Sequence, residues 1–286
     1  MIPGAFTYHR PKSIDEAAAL LTSLGEEARP LAGGHSLIPM MKLRMATPEH
    51  LVDLAGIPEL KGVCQNGGDI IIGAMTTQAE LIASELLAAQ VPILRETSLV
   101  IADPQIRYCG TLGGNVANGD PGNDMPAVMM TLDARYTIVG EKGRRVIPSR
   151  EFYQGAYYTA LEPGEFLVSV TIPALPDGHG FAYEKMKRKV GDYATAAAAV
   201  VLTKKDGVIA TCALALTNVG DTALFAEEAA QILIGSRLDA ASLARAAAAA
   251  EAIAAPATDG RGTAAYRTSI AGVMVARAVR RAFERA

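Results

Sequence analysis

Apolar residues recur every three or four positions in several stretches of the chain, and each of these stretches predicts a helix. The clearest predicted helix runs from Ser13 to Leu24, where Ser13 and Glu16 form a capping box and Gly25 ends the helix. Further helices are predicted over Gln78–Ala89, Pro92–Val100, Met125–Leu132, Ala226–Ile234, Ala240–Ala254 and Tyr266–Arg285.

Short runs of apolar and β-branched residues, bounded by Gly, Pro or charged turns, predict strands between these helices. The predicted strands are Leu51–Leu54, Ile70–Ala74, Arg135–Val139, Arg145–Ile147, Phe166–Ile172, Phe181–Lys187, Ala196–Lys204 and Val208–Leu216. The last two are joined by a hairpin at residues 205–207. Together the patterns predict an α+β fold.

A linker is predicted at residues 173–180, which contain two prolines and two glycines. The boundary near residue 175 predicts a first domain over residues 1–175 and a second over residues 176–286. Within the first domain, residues 1–55 form a small α/β subdomain and residues 56–175 a mixed α/β subdomain. The second domain is predicted to contain an antiparallel sheet with helices.

The composition, the net charge and the cysteine spacing exclude several classes of function. The chain has 286 residues, 50% of them hydrophobic, and a net charge of −3, which argues against nucleic-acid binding. No apolar run reaches the ~18 residues of a spanning helix, and the N-terminus lacks a signal-peptide pattern, so a cytoplasmic protein without a transmembrane segment is expected. Cys64, Cys109 and Cys212 show no Cys-x-x-Cys spacing, which excludes an iron–sulfur or zinc site made by the cysteines of this chain alone.

The stretch from Cys109 to Pro126 is rich in Gly, Asn and Asp, which predicts a ligand-binding loop rather than a helix or a strand. Gly113 and Gly114 allow positive φ and a close approach of the backbone, so that amide N–H groups face phosphate oxygens. Thr111 and Asn115 flank this glycine pair with side-chain hydrogen-bonding groups.

Asp124 follows the glycine pair in the same stretch. A carboxylate is repelled by phosphate, so a sugar or ribityl hydroxyl is its expected partner.

A second double glycine, Gly33 and Gly34, lies upstream within residues 31–37. Either pair alone is also typical of an ordinary turn. Both together predict a dinucleotide-like ligand with two phosphates, although neither matches the Rossmann or P-loop pattern. His35 has no second metal-ligand residue at suitable spacing, so it is predicted to line a pocket; no catalytic residue and no metal site is predicted.

These glycine motifs carry a family resemblance. Ala32–Ser36 together with Thr111–Asn115 resembles the paired double-glycine signature of the FAD-binding subunits of molybdenum hydroxylases. The resemblance extends from the opening residues, Ile2–Pro11, to Tyr266–Thr268. It implies a two-part FAD-binding domain followed by the C-terminal domain typical of these flavoproteins.

Two further segments are similar to the carbon monoxide dehydrogenase branch of that family, namely Asn118–Pro126 and Lys187–Ala196. The resemblance implies that the backbone of residues 33–36 and 113–115 holds the pyrophosphate of FAD and that Tyr193 covers the isoalloxazine ring. The implied FAD contacts are Ala32, Gly33, Gly34, His35, Ser36, Leu37, Ile101, Thr111, Gly113, Gly114, Asn115, Asp124, Leu167 and Tyr193. Residues 187–189 are expected to face acidic surface of another subunit.

The resemblance implies an oxidoreductase subunit that carries FAD and transfers electrons. A large molybdopterin-containing partner would oxidise carbon monoxide with water to carbon dioxide, and a small partner would pass electrons from its [2Fe–2S] clusters to this chain. The expected acceptor is a quinone or a cytochrome, and the expected assembly is a dimer of heterotrimers. The complex is expected in the cytoplasm or at the inner face of the cytoplasmic membrane.

Two alternatives remain open. Because the family selects its substrate on another polypeptide, a related purine or N-heterocycle dehydrogenase would have a similar flavin subunit. A stand-alone flavin oxidase would need a base above the flavin, and the sequence identifies none.

Overall fold

The computed structural model of the chain describes residues 2–286. The first part of the chain forms a three-stranded parallel sheet. Its strands are β1 (Thr7–His9), β2 (Ala28–Leu31) and β3 (His50–Asp53), in the order β1-β3-β2. Helix α1 (Ile14–Leu24) packs on this sheet, and α2 (Leu37–Lys42) follows β2.

Ser13 and Gly25 cap α1 as the sequence predicts, but the predicted capping box with Glu16 does not form. The Ser13 hydroxyl accepts the amide N–H of Glu16, and Gly25 ends the helix at φ +58°. The Glu16 carboxylate accepts the amide N–H of Lys12 rather than that of Ser13. The helix is therefore capped at both ends by local side-chain and backbone chemistry.

The middle of the chain forms a five-stranded antiparallel sheet in the order β4-β5-β10-β6-β7. Its strands are β4 (Val63–Asn66), β5 (Asp69–Gly73), β6 (Arg135–Gly140), β7 (Gly143–Pro148) and β10 (Phe166–Ile172), and a small pair is made by β8 (Tyr153–Gly155) and β9 (Tyr158–Thr159). Its helices are α3 (Gln78–Ala83), α4 (Glu85–Gln90), α5 (Pro92–Val100), α6 (Pro104–Cys109), α7 (Leu112–Ala117), α8 (Met125–Thr131) and α9 (Ser149–Phe152). Fully buried side chains of the sheet and helices, among them Ile72, Leu112 and Met125, form one core.

The last part of the chain is a four-stranded antiparallel sheet covered by three helices. The strands are β11 (Gly180–Met186), β12 (Ala196–Lys205), β13 (Val208–Thr217) and β14 (Leu224–Phe225), and the helices are α10 (Glu227–Leu233), α11 (Ala240–Ile253) and α12 (Ala264–Arg285). Small buried residues such as Ala196 and Ala198 let α12 lie close to β12. A Cβ on Gly180 would be 1.8 Å from the carbonyl oxygen of Ala282, so the sheet and α12 nearly touch there.

The α+β fold class is confirmed, and elements with strong local patterns lie where they were predicted. Helix α5 and strand β10 have the predicted bounds. The predicted helix at residues 78–89 is two helices, because the Ser84 side chain accepts the amide N–H of Leu87 and begins α4. The prediction of a continuous loop from Cys109 to Pro126 is wrong, since residues 112–117 form α7. No helix within residues 2–286 combines the length and apolar character needed to cross a bilayer.

The three cysteines differ in exposure, which predicts their reactivity. Cys64 and Cys109 are exposed, whereas Cys212 packs against the core of the C-terminal sheet, and this burial raises the pKa of its thiol to about 12. Because the thiolate is the nucleophile, iodoacetamide is expected to alkylate two cysteines of the folded chain and all three in urea. Peptide mass spectrometry checks this; alkylation of Cys212 in the folded chain at the rate of Cys64 would contradict it.

Candidate functional site

A cleft of about 560 Å³ is lined by both glycine segments, by Lys185 of β11 and by residues 191–193. Its volume is within the usual range of small-molecule and cofactor sites. All of the site residues predicted from the sequence lie along its wall: Ala32, Gly33, Gly34, His35, Ser36, Leu37, Ile101, Thr111, Gly113, Gly114, Asn115, Asp124, Leu167 and Tyr193. The structure thus brings together residues that are far apart in the sequence, and which of them contact a ligand stays a prediction.

The first glycine segment provides free backbone donors. The amide N–H groups of residues 33–37 donate no hydrogen bond to any residue that the structure describes. Gly34 has φ +74°, and a Cβ there would be 2.6 Å from Cδ1 of Ile38, so the turn needs glycine. The side chain of Ser36 makes no capping bond to α2. Consecutive unpaired amides beside a cleft form a cradle for an anion such as a phosphate.

The second glycine segment differs from its prediction. Gly113 and Gly114 do not have positive φ; they lie in the first turn of α7, where Thr111 is the N-cap. The amides of this turn are already paired inside the chain: Leu112 with Thr76 O at 2.8 Å, Gly113 with Ala74 O at 2.8 Å, Gly114 with Thr111 Oγ1 at 3.0 Å and Asn115 with Thr111 O at 3.1 Å. These amides are therefore not free donors in this structure, and a contact between residues 113–115 and a phosphate stays a prediction.

The two glycine segments lie against each other. A Cβ on Gly33 would be 2.2 Å from the carbonyl oxygen of Cys109 and 2.9 Å from Cα of Gly110. A Cβ on Gly114 would be 3.3 Å from Cβ of Ala32. Glycine is thus required at Gly33 so that one backbone can pack on another, and this packing closes one wall of the cleft.

Asp124 lies in a buried polar cluster that the sequence did not predict. Its carboxylate accepts hydrogen bonds from the Tyr183 hydroxyl at 2.5 Å and from Nζ of Lys185 at 2.8 Å. Burial first, and the Asp124 charge second, raise the pKa of Tyr183 well above its usual value, so its hydroxyl remains a donor. A carboxylate has about four acceptor positions. Asp124 therefore keeps acceptor capacity for a ligand hydroxyl, and that contact stays a prediction.

Tyr193 lies at the mouth of the cleft with 41% of its surface exposed. Its ring rests on Gly122, where a Cβ would be 2.8 Å from Cδ1 of the tyrosine. Ile101 and Leu167 contribute nearly buried apolar surface to the wall of the cleft. The cleft thus has apolar and aromatic surfaces, a backbone anion cradle and a hydroxyl acceptor, which together fit a dinucleotide cofactor.

Every carboxylate that lines the cleft is held in an ion pair. Asp124 pairs with Lys185, Glu165 with Arg145 at 2.5 Å, and Asp192 with Arg188 at 2.8 Å. Burial alone would raise the pKa of Glu165, but hydrogen bonds from Arg145 and from the Glu162 amide outweigh it and lower that pKa. The Arg188 hydrogen bond lowers the pKa of Asp192. Glu165 and Asp192 are therefore weak bases at neutral pH, and Asp124 is held by Lys185, so the cleft is better suited to hold a cofactor than to abstract a proton.

Comparison with known proteins defines the class. The family model of the FAD binding domain in molybdopterin dehydrogenase matches residues 4–175, and that of the CO dehydrogenase flavoprotein C-terminal domain matches residues 181–282. The chain therefore belongs to the family of FAD-binding flavoproteins of the molybdopterin dehydrogenases. FAD is its cofactor, and the anion cradle and apolar surfaces of the cleft fit that group.

Within this family the chain is similar over its whole length to carbon monoxide dehydrogenase medium chains, which are oxidoreductase subunits. It is 64% identical to that of Afipia carboxidovorans and 49% identical to that of Hydrogenophaga pseudoflava, with 100% of this chain and 99% of each relative covered. A crystal structure of a Cu,Mo-CO dehydrogenase in its cyanide-inactivated form contains a chain of the same fold, with a TM-score of 0.99, 64% identity and complete coverage of both chains.

Proposed function

We propose that this chain is the FAD-carrying electron-transfer subunit of a carbon monoxide dehydrogenase. The observation that carries the proposal is the cleft. Its wall contains five consecutive free amides, residues 33–37, and a second glycine segment whose amides are hydrogen-bonded within the chain. The amides bind the pyrophosphate, and Asp124 accepts a hydroxyl of the ribityl or ribose portion. Bound FAD supplies the redox chemistry, and the fourteen residues predicted from the sequence form its contacts.

We infer the rest of the assembly from membership of the family. A large molybdopterin-containing subunit oxidises carbon monoxide with water to carbon dioxide, a small subunit with [2Fe–2S] clusters donates the electrons, and a quinone or cytochrome receives them. The proposed assembly is a dimer of heterotrimers, in the cytoplasm or at the inner face of the cytoplasmic membrane. We also propose that residues 1–175, made of subdomains 1–55 and 56–175, form the FAD-binding domain and that residues 176–286 form the C-terminal domain.

The ion-paired carboxylates favour an electron relay over a stand-alone flavin oxidase. An oxidase needs an available base above the flavin, and all three carboxylates of the cleft wall are paired with Lys or Arg. Carbon monoxide, as opposed to a purine or an N-heterocycle, is assigned from the similarity to carbon monoxide dehydrogenase medium chains over the full chain.

Copurification of the complex from the native cell tests the proposal. We expect stoichiometric FAD, molybdenum and iron, and loss of the visible flavin absorbance when carbon monoxide is added. The isolated chain loaded with FAD is expected to show no turnover with organic reducing substrates. If a purine but not carbon monoxide reduced the flavin of the complex, the assignment of carbon monoxide as substrate would be wrong, and the electron-transfer role would still stand. Turnover by the isolated chain would show that the electron-transfer role is wrong.

A further inference from the structure

Residues 187–195, here called the Tyr193 loop, connect β11 to β12 at the mouth of the cleft. Besides its contact with Gly122, the Tyr193 ring is covered by Arg261, whose guanidinium carbon is 5.6 Å from the ring centroid. A guanidinium within about 6 Å of an aromatic centroid is attracted by the ring. Arg261 comes from the segment before α12, so two distant parts of the chain meet at this tyrosine.

The segment that carries Arg261 is a tight turn, residues 259–262, called the Arg261 turn. The main chains of Asp259 and Gly262 exchange two hydrogen bonds of 3.1 Å. The Asp259 carboxylate accepts both the amide and the guanidinium of Arg261 at 2.8 Å. Arg267, which is nearly buried, lies 3.3 Å from the same carboxylate and donates to the carbonyl oxygen of Ala257 at 2.8 Å. Arg261 is thus presented from a rigid support.

A second arginine ties the Tyr193 loop to this turn. Nε of Arg188 donates to the Asp192 carboxylate at 2.8 Å, and a terminal nitrogen of Arg188 donates to the carbonyl oxygen of Gly260 at 2.9 Å. One planar guanidinium therefore spans the loop and the turn, which the single ammonium of a lysine cannot do in the same geometry. The sequence predicted that residues 187–189 face another subunit. It did not predict that Arg188 forms these hydrogen bonds within its own chain.

We propose that Arg188 and Arg261 are positioning residues that latch the Tyr193 loop over the cleft and thereby slow the release of FAD. The inference rests on the proposed function, because it takes FAD as the group under Tyr193. For FAD to leave past the tyrosine, the loop has to move, and this movement breaks the Arg188 bridge to Gly260 and the Arg261 contact with the ring. The latch acts through Tyr193, because neither Arg188 nor Arg261 lines the cleft.

The rate of FAD release from the holoenzyme tests the latch. The rise of free-flavin fluorescence after dilution gives this rate directly. Arg188→Ala is expected to speed release about tenfold, because two charge-assisted hydrogen bonds are lost. Arg261→Ala is expected to speed release about two- to fivefold, as a partly exposed cation–π contact implies. Arg188→Lys should fall between wild type and Arg188→Ala, because lysine retains only one of the two bonds.

A double-variant cycle separates positioning from a general structural effect. In a Tyr193→Ala background, Arg261→Ala should change the release rate less than twofold, because the ring on which it acts is gone. Arg245→Ala is the matched control: Arg245 is exposed on α11, and its side chain makes no hydrogen bond or ion pair within residues 2–286. It should release FAD at the wild-type rate.

The outcomes distinguish this inference from the proposed function. If the wild-type complex contains no FAD, the proposed function fails. If it contains FAD and both arginine variants release it at the wild-type rate, the latch alone fails. An Arg261→Ala effect that is as large in the Tyr193→Ala background as in wild type would also overturn the latch, because Arg261 would then act on FAD by another route.

Discussion

A Gly33→Ala variant is expected to bind FAD at least about tenfold more weakly than wild type, a change of roughly 1.4 kcal/mol. The new Cβ would be 2.2 Å from the carbonyl oxygen of Cys109, 2.8 Å from its carbonyl carbon and 2.9 Å from Cα of Gly110. These are backbone atoms, so no side-chain rotation relieves the overlap and the two glycine segments have to separate. Overpacking of this kind costs about 1–3 kcal/mol.

Titration of the apoprotein with FAD, followed by flavin fluorescence, measures this change in affinity. Gly155→Ala is a suitable control, because its Cβ would be 3.8 Å from Cβ of Tyr158 and Gly155 does not have positive φ. The control is expected to bind FAD as wild type does. Equal affinities of Gly33→Ala and Gly155→Ala would show that close packing of the two segments is not needed for binding.

The sequence predicted where the glycine segments matter but not why. Gly113 was expected to give backbone freedom at a ligand, yet a Cβ there would be 2.6 Å from the carbonyl oxygen of Ala74. Its glycine is needed for packing of α7 against the end of β5, a contact between residues far apart in the sequence. Local composition cannot show which neighbour a missing Cβ makes room for.

Helix α7 was missed for a related reason. Two glycines cost a helix about 1 kcal/mol each relative to alanine, so propensity argues against a helix here. The Thr111 N-cap favours it, and hydrogen bonds from Leu112 to Thr76 and from Gly113 to Ala74 fix its first turn. By contrast, α5 and β10 were predicted correctly because their apolar patterns are local.

The sequence could not predict that Tyr183 and Lys185 form a buried cluster with Asp124. Tyr183 and Lys185 are 59 and 61 residues away from Asp124 in the chain, and both lie on β11 with an ordinary strand pattern. Their alternate spacing on β11 places them on the same face of the strand, which was the one available signal. Nothing in the sequence indicated that this face of β11 packs against Asp124. The acidic site residue was therefore predicted, and its buried partners were not.

Replacing Lys185 by methionine is expected to lower the free energy of unfolding by about 3–5 kcal/mol. The side chains of Lys185 and Asp124 are 3% and 6% exposed, so the variant leaves a buried carboxylate with only the Tyr183 hydroxyl as a side-chain donor. Urea denaturation followed by circular dichroism measures the loss. Lys205→Met is the matched control: Lys205 is exposed at the end of β12, and its ammonium pairs with no residue among those described. It should unfold as wild type does.

The double variant Lys185→Met with Asp124→Asn shows whether the isolated charge is the cause. An asparagine keeps an acceptor for Tyr183 and has no charge to bury, so most of the stability lost in the single variant should return. If the double variant is as unstable as Lys185→Met, the lysine acts through its stem and its 3.5 Å contact with the carbonyl oxygen of Val100. If Lys185→Met is as stable as Lys205→Met, the buried pair does not stabilise the fold, and water must reach Asp124 through the cleft.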